Sequence, residues 1–127
     1  MKGTKDIKTT DLKKKAQVLF NKFIRTRDSG LTCISCGASV QQAGHFYSAG
    51  KFNALRFNED NVHGQCIKCN YYEHGNLIKY RAGLIKKIGI ERVERLDFLA
   101  SNRSASKNDR FLYLEVIEKY GDKKQIW

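Results

Sequence analysis

The four cysteines of this 127-residue chain fall into two Cys-x-x-Cys pairs, Cys33/Cys36 and Cys66/Cys69. Each short turn can aim two thiolates at one tetrahedral ion, and Zn2+ readily takes four such ligands. Two disulfides are the competing use of the same residues. The start, MKGTKDIKTTDLKKK, is polar and lysine-rich with no apolar stretch behind it, so it is not read as a secretory signal. That places the chain in a reducing compartment, the cytoplasm, where thiols stay free or bind metal. Structural zinc contributes on the order of 10–16 kcal/mol in small peptides, against about 5–15 kcal/mol of net stability for a whole domain. Residues 31–75 carry few large apolar side chains, so this segment is expected to be disordered without metal.

A second set of residues stands at fixed offsets from the cysteines. His45 lies in AGHF between the pairs, Asn61 precedes Cys66 by five, Asn70 directly follows Cys69, and Glu73 and His74 come about one helical turn later. Such a set suits phosphodiester hydrolysis, which needs an activated water on one side and charge stabilisation on the other. A neutral imidazole is a fitting base near neutral pH, which makes His45 the candidate. A hard cation, Mg2+ or Mn2+, binds oxygen ligands and keeps several waters, so one amide oxygen plus the phosphate can hold it. Asn70 is the first candidate ligand, with Glu73 and His74 as alternatives from the next turn. Asn61 either accepts a hydrogen bond from His45 or pins the loop. A zinc knuckle that only presents a surface to DNA or protein is the bland account of the cysteines, but it has no need of His45, Asn61 and Asn70 together.

The elements that must position these residues are mostly helical. Leu12, Ala16, Leu19, Phe20, Phe23 and Ile24 recur at steps of three and four, which predicts a helix over 10–29 with Thr10 as N-cap and Gly30 as stop. A strand is expected around Val40 to Tyr47. After the second cysteine pair, NLIKYRAGLIKKIG reads as a helix from about Asn76 to Gly89, and IERVERLDFLA continues it past a bend. SASKNDR is a linker, and Phe111 to Tyr120 a last helix closed by Gly121. The expected division is a flexible basic N-terminus over 1–9, a zinc-stabilised domain over 10–100, and a linker with a C-terminal helix over 101–127. No run approaches the about 18 apolar residues that would span a membrane.

Charge points to the partner. Residues 1–30 carry nine basic and three acidic side chains, residues 31–75 three of each, and residues 76–127 twelve and seven. Two basic arms around a neutral centre suit a polyanion, because neutralising phosphates releases counterions. Lys51, Arg56, His63, Lys79, Arg81, Lys86 and Lys87 are candidate DNA contacts, although a solvated face accounts for lysine-rich helices equally well. Phe52, Phe57, Tyr71 and Tyr72 are core residues or stack on unpaired bases, with core favoured for the phenylalanines.

The order His, Asn, Asn around two Cys-x-x-Cys turns resembles the HNH family of ββα-metal nucleases. AGHF stands where that family places its general base, NVHGQC has its asparagine five before the cysteine, and CN supplies the ligand that opens its helix. The resemblance is closer to the NinG (Rap) recombination endonucleases of lambdoid phages. It runs from about Ala16 to Leu96 through FIRTRDSGLTCISCG, AGHFY, LRFNEDNVHGQCIKCN and HGNLIKYRAGLIKKIG. CNYYE also looks like the corresponding stretch of phage endonuclease VII. The resemblance implies an α+β fold, with a small zinc-stabilised ββα-metal core and flanking α-helices. It further implies a metal-dependent endonuclease acting on recombination intermediates such as Holliday junctions and D-loops, in the bacterial host cytoplasm if the chain is a phage protein. One departure stands out: many HNH sites put Asp or His before the base as a second metal ligand, and here that residue is Gly44. Fewer protein atoms then hold the ion, or Asp60 or Glu73 completes the set. Two cuts in a symmetric junction would suit a homodimer, with the apolar faces of the 10–29 and 111–120 helices as candidate interfaces. Recombination proteins are further possible partners.

Overall fold

The computed structural model describes residues 7–102 and 109–121. The expected flexible tail over 1–9 and the linker SASKNDR lie largely outside these residues. Among the described residues the order is α1 (Thr9–Arg27), β1 (Gln42–His45), a 3-10 turn (Asn53–Leu55), β2 (Val62–Gln65), a π-helical turn (Lys68–Tyr72), α2 (Leu77–Ile88), α3 (Ile90–Ser101) and α4 (Arg110–Tyr120). The protein is helix-dominated α+β. The first helix starts one residue before the expected cap Thr10 and ends at Arg27, three residues short of Gly30.

The chain forms two compact units, Met1–Phe23 with Lys107–Trp127, and Ile24–Ser106. In the first, Leu12, Ala16, Phe20, Tyr113 and Val116 are buried. The Tyr120 ring meets Phe20 edge-on at 5.0 Å and Phe23 at 4.8 Å between centroids. The two apolar faces considered as dimer interfaces are thus turned on one another. Asp109 caps α4 by accepting from the Leu112 N–H at 3.1 Å.

The second unit holds all the candidate chemistry. Leu55, Tyr80, Leu84, Val93, Leu96 and Ala100 form its core, with Phe46, Tyr47 and Phe52 packed against them. The loop between the strands therefore contributes apolar weight that its composition understated. β1 and β2 pair antiparallel in the register Gln42↔Gln65, Ala43↔Gly64, Gly44↔His63 and His45↔Val62. Because side chains alternate along a strand and paired residues share a face, Gln42, Gly44, His63 and Gln65 lie on one side. There the Tyr80 hydroxyl of α2 donates to the Gly44 carbonyl at 2.7 Å.

A buried carboxylate ties this sheet to the helices. Asp28 accepts from Arg27 Nε at 2.9 Å, from the Gly64 N–H at 2.8 Å and from Lys87 Nζ at 3.0 Å, with its side chain 1% exposed. Burial pushes its pKa up, but the hydrogen bonds from Arg27, Gly64 and Lys87 win and hold it well below the carboxylate range. The neighbouring His63 donates from Nε2 to the Asp60 carbonyl at 2.8 Å, and its Nδ1 accepts from Lys87 at 2.8 Å. Burial first, then the Lys87 charge, lower its pKa to about 4, so the ring is neutral.

Two expected outcomes follow from these signs. Asp28→Asn removes the anion that the partly exposed Arg27 and Lys87 side chains meet and weakens a buried hydrogen-bond network, and it lowers unfolding free energy by about 1–3 kcal/mol in urea denaturation. His63 titrates lower in the folded chain than in the unfolded one. Its stabilisation is present above pH 6.5 and lost as pH falls from there towards 4. The loss of stability over that window should be smaller in His63→Gln than in the wild type.

Candidate functional site

The four cysteine sulfurs lie within 4.8 Å of one another. Cys36 and Cys66 Sγ stand 3.6 Å apart, far beyond a disulfide bond and close to the about 3.8 Å edge of a tetrahedron with metal–sulfur bonds of about 2.3 Å. Local backbone geometry builds the cage. In the first knuckle the Cys33 N–H donates to the Ala38 carbonyl at 2.6 Å and the Gly37 N–H to the Cys33 carbonyl at 2.9 Å. In the second, the Cys69 N–H points at Cys66 Sγ at 3.4 Å, and Asn76 Nδ2 at Cys69 Sγ at 3.4 Å. Burial raises the Cys33 thiol, but N–H groups of Cys66, Cys36 and Ser35 bring it below its ordinary value. Burial and the adjoining sulfurs push Cys69 up. Four thiolates this close together need a cation, and the cluster can hold a metal ion such as zinc.

α2 is seated directly against this cage. A β-carbon on Gly83 would stand 1.9 Å from the Ile34 carbonyl oxygen, so only glycine permits the approach. The helix after the second cysteine pair is not continuous. It opens with the π-turn, breaks through His74 (φ 51°), Gly75 (φ 94°) and Asn76 (φ 46°), and resumes as α2. The expected i, i+3 and i, i+4 facing of Asn70, Glu73 and His74 therefore does not hold. Glu73 reaches back to Lys68 at 3.9 Å. His74 instead lines an open cleft of about 560 Å³ together with His45, Lys51, Phe52, Ile78 and Arg81.

His45, half-buried at the end of β1, makes one resolved hydrogen bond, from Nε2 to the Arg56 carbonyl at 2.9 Å. A carbonyl only accepts, so Nε2 carries the proton and the neutral ring keeps its lone pair on Nδ1. Burial lowers its pKa, against the opposing pull of that carbonyl. Asn61 is fully buried and does not touch His45. Its Oδ1 accepts from the Tyr47 N–H at 2.8 Å, while Nδ2 donates to the Tyr47 and Leu55 carbonyls at 3.0 and 3.1 Å. It pins the loop that carries Arg56, so its hold on His45 is indirect.

Asn70 donates from Nδ2 to Gln42 Oε1 at 2.8 Å, and its Oδ1 lies 2.9 Å from the place a Gly44 β-carbon would take. The amide thus stands beside the residue that precedes His45. Asp60, considered as a completing ligand, is held by the Arg92 guanidinium.

Several candidate DNA contacts have partners within the chain. His63 is buried with both ring nitrogens engaged, and Lys87 is paired with Asp28. Arg56 uses its guanidinium on Asn53 Oδ1 at 2.7 Å, and Arg81 forms a fork on Asp97 at 2.8 and 3.0 Å. Lys51, Lys79 and Lys86 are exposed. Phe52 packs against the core, while Tyr71 and Tyr72 are exposed and meet each other edge-on at 4.9 Å. Sequence reasoning missed Asp28, Tyr80, Gly83 and Gln65. The one available signal was Gly83, a helix breaker inside an otherwise apolar helical pattern.

A two-stranded sheet and helices arranged around four clustered cysteines define a small cysteine-stapled α+β domain. The chain belongs to the NinG family: the model described as Bacteriophage Lambda NinG protein matches residues 2–125. It is similar to the protein ninG of Escherichia phage lambda, 48% identical over 87 residues, which are 66% of this chain and 43% of the relative. The ninG proteins of Salmonella phage P22 and Escherichia phage 933W are each 47% identical over 87 residues, with the same coverage. The matched stretch covers less than half the length of these curated relatives. No solved structure matches the chain. Among the described residues no helix is long and apolar enough to cross a membrane.

Removal of any one sulfur should open the cage. Cys36→Ser is expected to lower zinc content measured by atomic absorption and to raise amide exchange in residues 31–41 and 66–76. The amides of α2 and α3, backed by the apolar core, should stay protected.

Proposed function

We propose that this protein is a metal-dependent endonuclease that hydrolyses phosphodiester bonds in branched recombination intermediates, Holliday junctions and D-loops among them. In this reading zinc fills the cysteine cage, and the hairpin, the π-turn and α2 make up a ββα-metal core of the HNH kind. The observation that carries the proposal is the orientation of His45. Its Nε2 proton is committed to the Arg56 carbonyl, which leaves Nδ1 with the free lone pair of a ring that lines an open cleft. Membership of the NinG family supports it, because the expectation of branched-DNA cutting came with that resemblance.

The residues divide the work between them. His45 Nδ1 takes a proton from the attacking water, and its lowered pKa keeps the ring neutral at physiological pH. Asn61 holds the loop whose carbonyl fixes the imidazole. Asn70 offers an amide oxygen to Mg2+ or Mn2+, which when bound supplies charge stabilisation at the phosphate and leaving oxygens. Lys51 lies in the cleft, and Lys79 and Lys86 extend positive charge along α2 for the flanking phosphates. Tyr71 and Tyr72 offer exposed rings to unpaired bases. A homodimer would bring two such sites to the two equivalent strands of a junction, and recombination proteins of a phage-infected cell are the partners this substrate implies.

The deciding experiment is cleavage of four-way, three-way, flap and linear DNA with Mg2+, Mn2+ or chelator. Cutting should require the divalent ion, favour branched substrates, and fall at least about 100-fold in His45→Ala, with zinc content and junction binding retained. Because burial lowers the His45 pKa, activity should hold down to the ordinary histidine value of 6.5 and fall only below it, as the ring takes up its second proton. Binding without cleavage at any enzyme level would instead identify a non-catalytic zinc-stabilised DNA-binding module.

A further inference from the structure

Among the described residues, one buried side-chain nitrogen or oxygen has no hydrogen-bond partner, and it is Gln65 Oε1. Its direction is not arbitrary. The amide nitrogen of Gln65 donates to the Gly75 carbonyl at 2.8 Å and to Ser35 Oγ at 2.9 Å. A carbonyl cannot donate, so the NH2 group must face Gly75 and the oxygen must face the other way. Leaving such an oxygen buried and unmet destabilises a fold by about 1–3 kcal/mol. The whole residue is 0% exposed, so in the ion-free chain no hydrogen bond to bulk water offsets that cost.

That oxygen is aimed at Gly44. A β-carbon on Gly44 would lie 1.8 Å from Gln65 Oε1 and 2.9 Å from Asn70 Oδ1. Two amide oxygens therefore converge on the same small volume above Gly44. The Asn70 NH2 is already used on Gln42. Two acceptors that face a common point without a donor repel one another, and a cation removes the conflict. Oxygen ligands sit about 2.0–2.6 Å from a hard divalent ion, so these two are close enough to share one.

We infer that Gln65 Oε1 and Asn70 Oδ1 together ligate the divalent cation, and that glycine stands at position 44 because Gln65 occupies the space a side chain there would need. The inference rests on the proposed hydrolytic reading for the identity of the ion, since it supplies the second protein ligand to that site. Both ligands are neutral. The protein alone then contributes no charge to the ion, which keeps several waters and binds firmly once phosphate oxygens arrive.

The test is Mn2+ binding to the zinc-loaded full chain, followed by loss of the free-ion electron paramagnetic resonance signal, with zinc content and circular dichroism as folding checks. Gln65→Leu should weaken Mn2+ binding at least about tenfold, as loss of even an outer partner of a metal site does. The double variant Gly44→Asp, Gln65→Ala places a carboxylate in the vacated volume and should bind at least as tightly as wild type. A wild-type chain with no saturable Mn2+ site up to about 10 mM, or a folded Gln65→Leu chain that binds as wild type does, overturns the inference. The latter result is expected if the Asn70 amide turns to donate to Gln65. Gln65-dependent Mn2+ binding without any DNA cleavage would sink the nuclease reading and leave this one standing. Mn2+-dependent cleavage with binding indifferent to Gln65 would do the reverse.

Discussion

The second unit is organised around one buried negative charge. A carboxylate without water is tolerated only where donors surround it, and Asp28 collects them from three places in the chain. Arg27 comes from the end of α1, the Gly64 N–H from β2, and Lys87 from the last turn of α2. Satisfying the charge therefore ties the strand to α2 and to the residues that follow Phe23 within the same unit. The strand so fixed carries His63 and Gln65 on one face and is registered against Gly44 and His45. His63 completes the arrangement by remaining neutral while it accepts from the same lysine. The network commits Arg27 and Lys87 to contacts within the unit.

The candidate site shows how amides can serve where carboxylates are usual. Asn61, Asn70 and Gln65 each use a donated hydrogen bond to orient an acceptor. Asn61 spends both ends on the backbone and becomes part of the scaffold. Gln65 and Asn70 spend only the nitrogen. The difference is set by position: Asn61 sits below the 3-10 turn, surrounded by main-chain groups, whereas Gln65 faces a residue that has no side chain.

Much of this was legible in the chain itself. The cysteine spacing predicted the cage, apolar periodicity placed all four helices to within a few residues, and Gly89 and Gly121 marked two of their ends. The division of labour among polar residues was not legible. Asp28 in TRDSG reads as the polar end of a helix, Lys87 as part of a basic face, and His63 equally as a packed residue, a solvent-facing one or a phosphate contact, because their pairing comes from tertiary contacts far along the chain. The π-turn was hidden for a related reason. Asn70, Glu73 and His74 have the spacing of one α-helical face, yet the left-handed residues at 74 and 76 unwind the chain between them. The resemblance singled out Asn61 and Asn70 alike but could not tell that Asn61 spends both ends of its amide on the backbone while Asn70 donates to Gln42.

The glycine in the middle of α2 carries a mechanical consequence. With no β-carbon at position 83, the helix axis rests against the Ile34 carbonyl with no cushion of side chain between them. Displacement of α2 towards the first knuckle must therefore move Cys33, its immediate neighbour in sequence, and strain on the sulfurs must be felt along the helix. The lysines of α2 and the thiol cage form one stiff lever, in which a load applied at the surface is borne by the first cysteine turn rather than absorbed on the way.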